Sequence, residues 1–197
     1  IAQMSDAMIM MPEPPRHQHG RNPSRAYLCD DHPAMHASHR PFRFLVVDGN
    51  VRAARDMHRD SFGLAPGESY AASVQTFAPT SLCDVAMPAD DGANIPDAGG
   101  LQSYDGIFLT GSALNIYNIE PAVTRQIDLM RAIYQSQVPV FGSCWGIQIG
   151  AVAAGGTVHL NPKGREMGFA RAITRTAAGR HHPLLARRPD AWDAPAI

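Results

Sequence analysis

The sequence has 197 residues, which is enough for one α/β domain with a sizeable core and an appendage. Its formal net charge is −1, and it contains no run of five or more basic residues, so the charge pattern typical of nucleic-acid and anionic-membrane binding is missing. We therefore expect small molecules or other proteins as partners, with no nucleic acid and no membrane.

The apolar stretches are too short to span a bilayer, and no charged-then-apolar leader precedes a small-residue cleavage site, so we expect a cytoplasmic protein. The three cysteines, Cys29, Cys83 and Cys144, are odd in number and widely spaced. That pattern is poor material for a disulfide framework or a structural zinc site. We expect free thiols, no metal ion and no cofactor.

Residues 1–40 mix Met, His, Pro and Arg without a helical or strand period, so we predict a flexible N-terminal extension. Residues 41–197 are predicted to form one domain. Its first strand is predicted at residues 42–47, before the turn cluster Asp48-Gly49-Asn50, and a helix follows at residues 51–62.

Further elements alternate along the chain. Strands are predicted at residues 73–77, 83–86, 104–109, 138–141, 158–160 and 169–174, and helices at residues 120–135 and 145–154. This alternation predicts an α/β fold with an open, mostly parallel sheet and helices on both faces. Such sheets place their sites beyond the carboxyl ends of the strands.

The segment Gly142-Ser143-Cys144-Trp145-Gly146 is the most informative, because a predicted strand passes directly into a predicted helix with a cysteine at the bend. The pattern G-x-C-x-G is typical of a nucleophile elbow, in which side chains two residues from the nucleophile would collide with the adjoining backbone. The alternative is a small buried cysteine in a tight strand-to-helix junction. The two correctly spaced glycines favour the exposed, reactive thiol.

Two oxyanion donors are predicted beside Cys144. The cysteine lies at a helix N-terminus, where unpaired amides and the helix dipole favour the thiolate, and the amide of Trp145 points to the same place. The second donor is predicted at Gly111, in the loop Thr110-Gly111-Ser112-Ala113. The strand before this loop is expected beside the elbow strand, and a glycine lets the backbone approach a substrate closely.

The segment Phe141-Gly142-Ser143-Cys144-Trp145-Gly146-Ile147-Gln148 resembles the nucleophile motif of class I glutamine amidotransferases, especially the stand-alone group similar to the amidotransferase domain of GMP synthase. Residues 104–112 resemble the oxyanion strand of the family, and residues 153–156 with 164–168 resemble its next strand pair. The resemblance runs from about residue 42 to residue 197. It implies the flavodoxin-like fold of that family.

The resemblance also implies a reaction, hydrolysis of the glutamine side-chain amide through a γ-glutamyl thioester on the cysteine. Glutamine would be the small-molecule substrate, and an ammonia-acceptor enzyme would be the partner. By position, the resemblance assigns the nucleophile to Cys144, the oxyanion amides to Gly111 and Trp145, substrate binding to Gln148 and Gly146, and pocket shaping to Glu166 and Gly168.

The sequence departs from the family after Asp193-Ala194-Pro195-Ala196, where the activating histidine and a glutamate would follow and where Ile197 is the last residue. We therefore expect a chain truncated before its C-terminal strands, whose complete form uses a Cys-His-Glu triad. General acid–base help is worth roughly 10²–10⁴ in rate, so this chain is expected to be impaired. His159, His181 and His182 are predicted to be solvated rather than to replace the base.

Two other interpretations of the sequence stay open. The same fold can hydrolyse another γ-glutamyl compound and release an amine instead of passing ammonia onward, because the elbow alone does not separate these substrates. The truncation also fits an inactive amidotransferase-like domain that serves as a binding module.

Overall fold

The computed structural model describes residues 40–162 and 168–196. Internal contacts divide the chain into two compact units, with the boundary between Gly156 and Thr157. The flexible extension predicted for residues 1–40 lies outside the described residues except for Arg40. A single domain over residues 41–197 stays a prediction.

The first unit is built around a four-stranded parallel sheet. Its strands are β1 (Arg43–Val47), β2 (Leu82–Ala86), β3 (Gly106–Leu109) and β4 (Val140–Gly142), and its helices are α1 (Arg52–Phe62), α2 (Pro66–Phe77), α3 (Ala98–Leu101), α4 (Pro121–Ser136) and α5 (Trp145–Ala153). The strand order is β2-β1-β3-β4, so the connections between consecutive strands contain helices. This is the open, parallel α/β fold that the alternation of elements predicts.

Helices cover both faces of this sheet. On one face, the ring of Tyr70 in α2 packs on Phe108 of β3 with centroids 6.0 Å apart, and Phe108 meets Phe44 of β1 at 5.4 Å. Successive strand residues point to opposite faces, so Leu109 faces the other way. There Gly146 of α5 lies directly against Leu109, and α5 packs on α4.

The strand register brings the loops after β1, β3 and β4 together. Val47 pairs with both Ala86 and Leu109, and Leu109 pairs with Gly142, so the strands end nearly level. We call this side of the sheet the carboxyl edge. In parallel sheets it is the side that builds binding sites.

The strand predicted at residues 73–77 is wrong, because these residues form the second half of α2. Pro66 stands at the first helical position, where its fixed φ favours a helix start, and the helix then continues through Val74 and Thr76 despite their strand propensity. Phe77 is 91% exposed, so the apolar residues of this segment do not mark a buried strand.

The second unit is described over residues 157–162 and 168–196. Strand β5 (Gly168–Thr174) confirms the strand predicted at residues 169–174, and it pairs antiparallel with β6 (Ala191–Ala196), which the sequence did not predict. A short helix, α6 (Ala177–Arg180), and a 3₁₀ turn at Pro183–Leu185 lie between them. The strand predicted at residues 158–160 is wrong, since these residues are irregular and Leu160 is largely exposed.

Within residues 40–162 and 168–196, none of the helices has the length and apolarity that a membrane crossing requires. The same residues contain no cluster of three or more His, Cys, Asp or Glu side chains arranged to hold a metal ion.

Candidate active site

Cys144 occupies the bend between β4 and α5, where it caps the helix N-terminus. Its backbone φ is 50° and its ψ is −105°, a conformation that residues with a side chain rarely adopt. Strain of this kind costs on the order of 1–3 kcal/mol and is concentrated at functional sites. The side chain of Cys144 is exposed, which excludes the alternative of a buried packing cysteine.

The two glycines that flank Cys144 have no room for a side chain. A Cβ atom on Gly142 would lie 2.8 Å from the carbonyl carbon of Gly146, and one on Gly146 would lie 2.9 Å from the Cβ of Leu109. The predicted collision with the adjoining backbone is confirmed at Gly142, whereas the nearest atom to Gly146 belongs to the side chain of Leu109 in β3. Gly146 is buried in the first turn of α5 against β3.

The loop after β3 lies next to this bend. A Cβ atom on Gly111 would lie 3.9 Å from the Cβ of Cys144, and the amide of Ser143 donates to the carbonyl of Leu109 at 3.5 Å. Among the described residues, the amides of Gly111 and Trp145 have no hydrogen-bond acceptor. Within this part of the chain, neither predicted oxyanion donor is already occupied.

The side chain of Trp145, the residue directly after Cys144 at the bend, is buried. Its exposed fraction is 1%, and its indole Nε1 donates to the Oε1 of Gln126 in α4 at 2.8 Å. The Nε2 of Gln126 donates in turn to the carbonyls of Gly49 at 3.2 Å and Ala122 at 3.0 Å. Gln126 was not predicted from the sequence, although a glutamine three residues after Val123 on the apolar stripe of α4 is a weak sign of a buried polar contact.

A turn of three residues follows β1 and reaches the same loop. We call Asp48, Gly49 and Asn50 the β1 turn. The Nδ2 of Asn50 donates to the carbonyl of Gly111 at 3.1 Å, and its Oδ1 accepts from the amide of Ala113 at 3.2 Å. The sequence predicted these residues only as a turn cluster, although polar residues directly after a buried strand are a frequent sign of a site.

The other predicted site residues lie in different places. Gln148 is half-buried in α5, one turn after Cys144, and its amide donates to the carbonyl of Cys144 at 3.3 Å. Gly168 begins β5 in the second unit, where it pairs with Ala196. Glu166 lies outside the described residues. The roles of these three residues stay predictions.

The two described cysteines lie in contrasting environments. Cys83 is half-buried in β2, and burial raises the pKa of its thiol, which keeps it protonated. Cys144 is exposed at the carboxyl edge. The side chains of His159, His181 and His182 are exposed in the second unit, as the sequence predicts.

A cavity of about 380 Å³ opens at the carboxyl edge beside the loop that contains Gly111. Its helical wall carries His58, Ser69, Tyr70 and Ser73, and its loop wall carries Gly111 and Ser112. The Nδ1 of His58 lies 2.7 Å from the carbonyl oxygen of Leu64. Most of the exposed lining is apolar, and its hydroxyl and ring-nitrogen groups can form hydrogen bonds with a small ligand.

The family model for class I glutamine amidotransferases matches residues 78–190, which is more than half of the chain. The chain belongs to the class I glutamine amidotransferase family. The match includes Gly111 and Cys144, so the resemblance of residues 141–148 to the nucleophile motif agrees with it. Enzymes of this family act on small-molecule amides such as glutamine and γ-glutamyl compounds.

One curated relative of this chain is named for the amide that it hydrolyses. The chain is 34% identical over 156 residues to γ-glutamyl-L-1-hydroxyisopropylamide hydrolase of a Pseudomonas species, covering 77% of this chain. The match covers 52% of that relative, so the chain spans about half the length of the curated relative it matches.

Two solved structures agree in fold with this chain. They are a glutamine amidotransferase from Methylobacillus flagellatus (TM-score 0.52, 20% identity, 78% of this chain and 53% of that one) and SMU.1228c (TM-score 0.53, 20% identity, 79% and 64%). The fold is therefore the flavodoxin-like α/β fold that the resemblance implies.

Proposed function

We propose that this chain carries the nucleophile for hydrolysis of a γ-glutamyl amide bond, and that Cys144 is the attacking thiol. The proposal is carried by one observation, the exposed cysteine at positive φ beside Gly111, whose Cβ position would be 3.9 Å from that of Cys144. A strained, exposed cysteine next to two free amides is an arrangement suited to acyl transfer. Membership of the class I family supports it.

The proposed reaction has two stages. The thiolate of Cys144 attacks the side-chain carbonyl carbon, and the amides of Gly111 and Trp145 stabilise the oxyanion that forms. Collapse breaks the C–N bond, so ammonia or an amine leaves with a proton and a γ-glutamyl thioester remains. Water then attacks the thioester, releasing glutamate and the thiol. Gln148 and Gly146 are proposed to hold the glutamyl part, and Glu166 and Gly168 to shape its pocket.

Two substrate classes fit this chemistry. Glutamine is the substrate that the resemblance to the GMP synthase-like group implies, and the ammonia released would pass to an acceptor enzyme. An N-substituted γ-glutamyl amide is favoured by the relative named γ-glutamyl-L-1-hydroxyisopropylamide hydrolase. The cavity beside Gly111, whose exposed lining is mostly apolar, also has room for an amine substituent.

The complete enzyme is proposed to use a Cys-His-Glu triad in the cytoplasm, because the resemblance to the family implies a histidine and a glutamate as partners of the cysteine. Where that histidine is missing, the thioester is expected to form slowly, because general acid help to the leaving nitrogen is lost. The opposite proposal is an inactive amidotransferase-like binding module, which a lack of turnover by the full-length product would favour.

The first test replaces the proposed nucleophile. In the gene's full-length product, Cys144→Ala is expected to abolish glutamate release from glutamine and from γ-glutamyl-N-isopropylamide, because no thioester can form. Glutamate is measured by an enzyme-coupled assay, and the thioester on the peptide containing Cys144 by mass spectrometry after acid quenching. The ratio of kcat/KM for the two substrates decides between the substrate classes.

Cys83→Ala is the matched control, since Cys83 is a half-buried thiol with a raised pKa and lies outside the proposed site. It is expected to keep the full rate. Glutamate release by the Cys144→Ala protein at the rate of the unaltered protein, or no release and no thioester in the unaltered protein, would overturn the proposal.

A further inference from the structure

We infer that the β1 turn positions both oxyanion donors, so that Asn50 is a positioning residue for the reaction. The inference rests on the proposed function, because it takes the amides of Gly111 and Trp145 as the donors. The two donors belong to different segments of the chain, the loop after β3 and the bend after β4. The distance between the two donor amides therefore depends on the part of the structure that contacts both segments.

Asn50 holds the loop that contains Gly111 at two points. Its side-chain amide donates to the carbonyl of Gly111 at 3.1 Å and to the carboxylate of Asp48 at 2.9 Å, while its Oδ1 accepts from the amide of Ala113 at 3.2 Å. These partners leave one orientation for the amide, since two oxygen acceptors face its NH₂ group and one donor faces its oxygen. Asn50 is 7% exposed, so water competes little for these bonds.

Gly49 contacts the side chain of Trp145, the residue whose backbone amide is the other donor. A Cβ atom on Gly49 would lie 2.6 Å from the Cδ1 of Trp145, so the indole packs directly on the backbone of the turn. The carbonyl of Gly49 accepts from Gln126 at 3.2 Å, and Gln126 binds the indole of Trp145. The same carbonyl accepts from the Oγ of Ser112 at 2.8 Å. The carbonyl of Gly49 is thus bonded both to Gln126, which holds the indole of Trp145, and to Ser112, which follows Gly111.

Hydrogen bonds of two buried charged side chains, Asp48 and Arg55, hold the β1 turn in place. Asp48 is fully buried, and its carboxylate accepts from the amide of Gly67 at 2.7 Å and from the amide of Asn50 at 3.0 Å. Arg55 is 4% exposed and donates to the carbonyl of Asn50 at 2.5 Å and to Asp90 at 2.6 Å. Buried networks in which each member has partners hold one geometry.

Precise placement matters at these amides. A preorganised donor acts on the oxyanion of the transition state, so a shift of about 1 Å in its position can cost about 10²-fold in rate. Alkylation of the same thiol passes through no tetrahedral oxyanion. Acyl transfer and alkylation of Cys144 should therefore respond differently when Asn50 is changed.

The experiment compares two reagents on the 197-residue chain. p-Nitrophenyl acetate acetylates the thiolate through a tetrahedral oxyanion and expels p-nitrophenolate, which needs no acid to leave. Iodoacetamide alkylates the thiolate and expels iodide. Both rates are followed at Cys144 by mass spectrometry of its peptide, in the unaltered chain and in the Asn50→Ala and Ser112→Ala variants.

We expect Asn50→Ala to lower the acetylation rate by about tenfold or more, because the Gly111 loop loses both of its bonds to residue 50. The alkylation rate should stay within about twofold. Ser112→Ala removes only the bond to Gly49 and its bond to the amide of Leu114, so it offers a milder change if Asn50→Ala does not fold.

Ser136→Ala is the matched control. Ser136 is also buried and its Oγ also bonds the main chain, donating to Ile133 and accepting from Val138, but it is the last residue of α4 and precedes the amino end of β4. Both of its rates should match those of the unaltered chain. Unchanged acetylation in the Asn50→Ala and Ser112→Ala variants, or parallel losses of acetylation and alkylation, would overturn the inference.

This test does not require recognition of a γ-glutamyl group. If the chain shows the expected selective loss of acetylation while the full-length product hydrolyses no γ-glutamyl amide, the proposed substrate is wrong and the positioning role of the β1 turn holds. If turnover is present and acetylation is insensitive to residue 50, the proposed function holds and the inference fails.

Discussion

At the scale of single residues, the bend at Cys144 depends on glycines that have no space for a methyl group. In a Gly146→Ala variant, the new Cβ would lie 2.9 Å from the Cβ of Leu109 and 3.3 Å from its carbonyl oxygen. Leu109 is paired on both sides within the sheet, so it cannot retreat without moving β3. We expect overpacking to cost about 1–3 kcal/mol of unfolding free energy and to slow alkylation of Cys144.

Gly99→Ala is the control for this substitution, since the nearest atom to its new Cβ lies 3.6 Å away at an ordinary contact distance. Its unfolding free energy should change by about 0.5 kcal/mol or less. Urea unfolding and iodoacetamide kinetics measure both variants. Equal midpoints and equal alkylation rates for Gly146→Ala and the unaltered chain would show that the bend tolerates a side chain.

The same scale explains which site residues could be predicted. Cys144 and its flanking glycines were predictable because their steric requirement spans five consecutive residues. Asn50 and Gln126 gave a weaker signal, because their partners Gly111 and Gly49 lie 61 and 77 residues away in sequence and cannot be predicted from the neighbouring residues. A polar side chain on a helix or in a turn usually indicates solvent, and only the folded sheet shows that these two are buried.

At the scale of elements, the start of α2 has a carboxylate that responds to pH. Glu68 accepts from the amide of Ala65 at 2.7 Å and from Arg59 of α1 at 2.9 Å. The hydrogen bond from the amide of Ala65, followed by that from Arg59, lowers the pKa of Glu68. The folded state thus favours the ionised carboxylate more than the unfolded chain does.

The sign of the pH dependence follows from this lowered pKa. The contribution of Glu68 to stability is complete above its unfolded pKa of about 4.3 and is lost as the pH falls through the lower pKa of the folded protein. Glu68→Gln removes that contribution, so its unfolding free energy should fall less than that of the unaltered chain between about pH 6 and pH 3. Urea unfolding at several pH values measures the difference.

Glu120→Gln is the matched control, because Glu120 lies at the start of α4, as Glu68 lies in the first turn of α2, yet its side chain makes no capping bond. Its pH profile should follow that of the unaltered chain. Parallel profiles for Glu68→Gln and the unaltered chain would contradict the role assigned to this carboxylate.

Helix α2 also shows where element prediction fails. The strand propensity of Val74, Thr76 and Phe77 predicted a strand, but Pro66 and the bond from Ala65 to Glu68 start a helix that continues through all three residues. Strand β6 was missed for the opposite reason, since Asp193 and Pro195 disfavour a strand and only pairing with β5 makes one. In both cases the deciding interactions lie outside the segment itself.

At the scale of the whole molecule, the parallel sheet could be predicted because alternating buried strands and amphipathic helices have few ways to pack. The sequence also predicts the candidate site at this edge, and Gly111 and Cys144 each follow a strand that ends there. The cavity could not be predicted in this way. It combines residues of α1, α2 and the loop after β3, whose proximity depends on the complete first unit.

This cavity leads to a prediction about substrate preference in the full-length product. Ser73 lines it from α2, and Ser73→Leu would fill part of its volume beside the Gly111 loop. If the cavity holds the amine substituent, kcat/KM for γ-glutamyl-N-isopropylamide should fall by about tenfold relative to glutamine, since a few lost apolar contacts and a steric conflict are worth about 1–3 kcal/mol. Glutamine has no substituent and should be little affected.

Thr76→Leu separates this effect from a general change in α2. Both residues are exposed on the helix, and both hydroxyls donate to the carbonyl four residues earlier, Ser73 to Ser69 at 2.9 Å and Thr76 to Ala72 at 3.1 Å, but Thr76 does not line the cavity. The ratio of kcat/KM for the two substrates should therefore stay constant in Thr76→Leu and shift only in Ser73→Leu. If the ratio is the same in both variants, the amine substituent does not lie beside Ser73, because a leucine there would otherwise lower kcat/KM for the substituted amide.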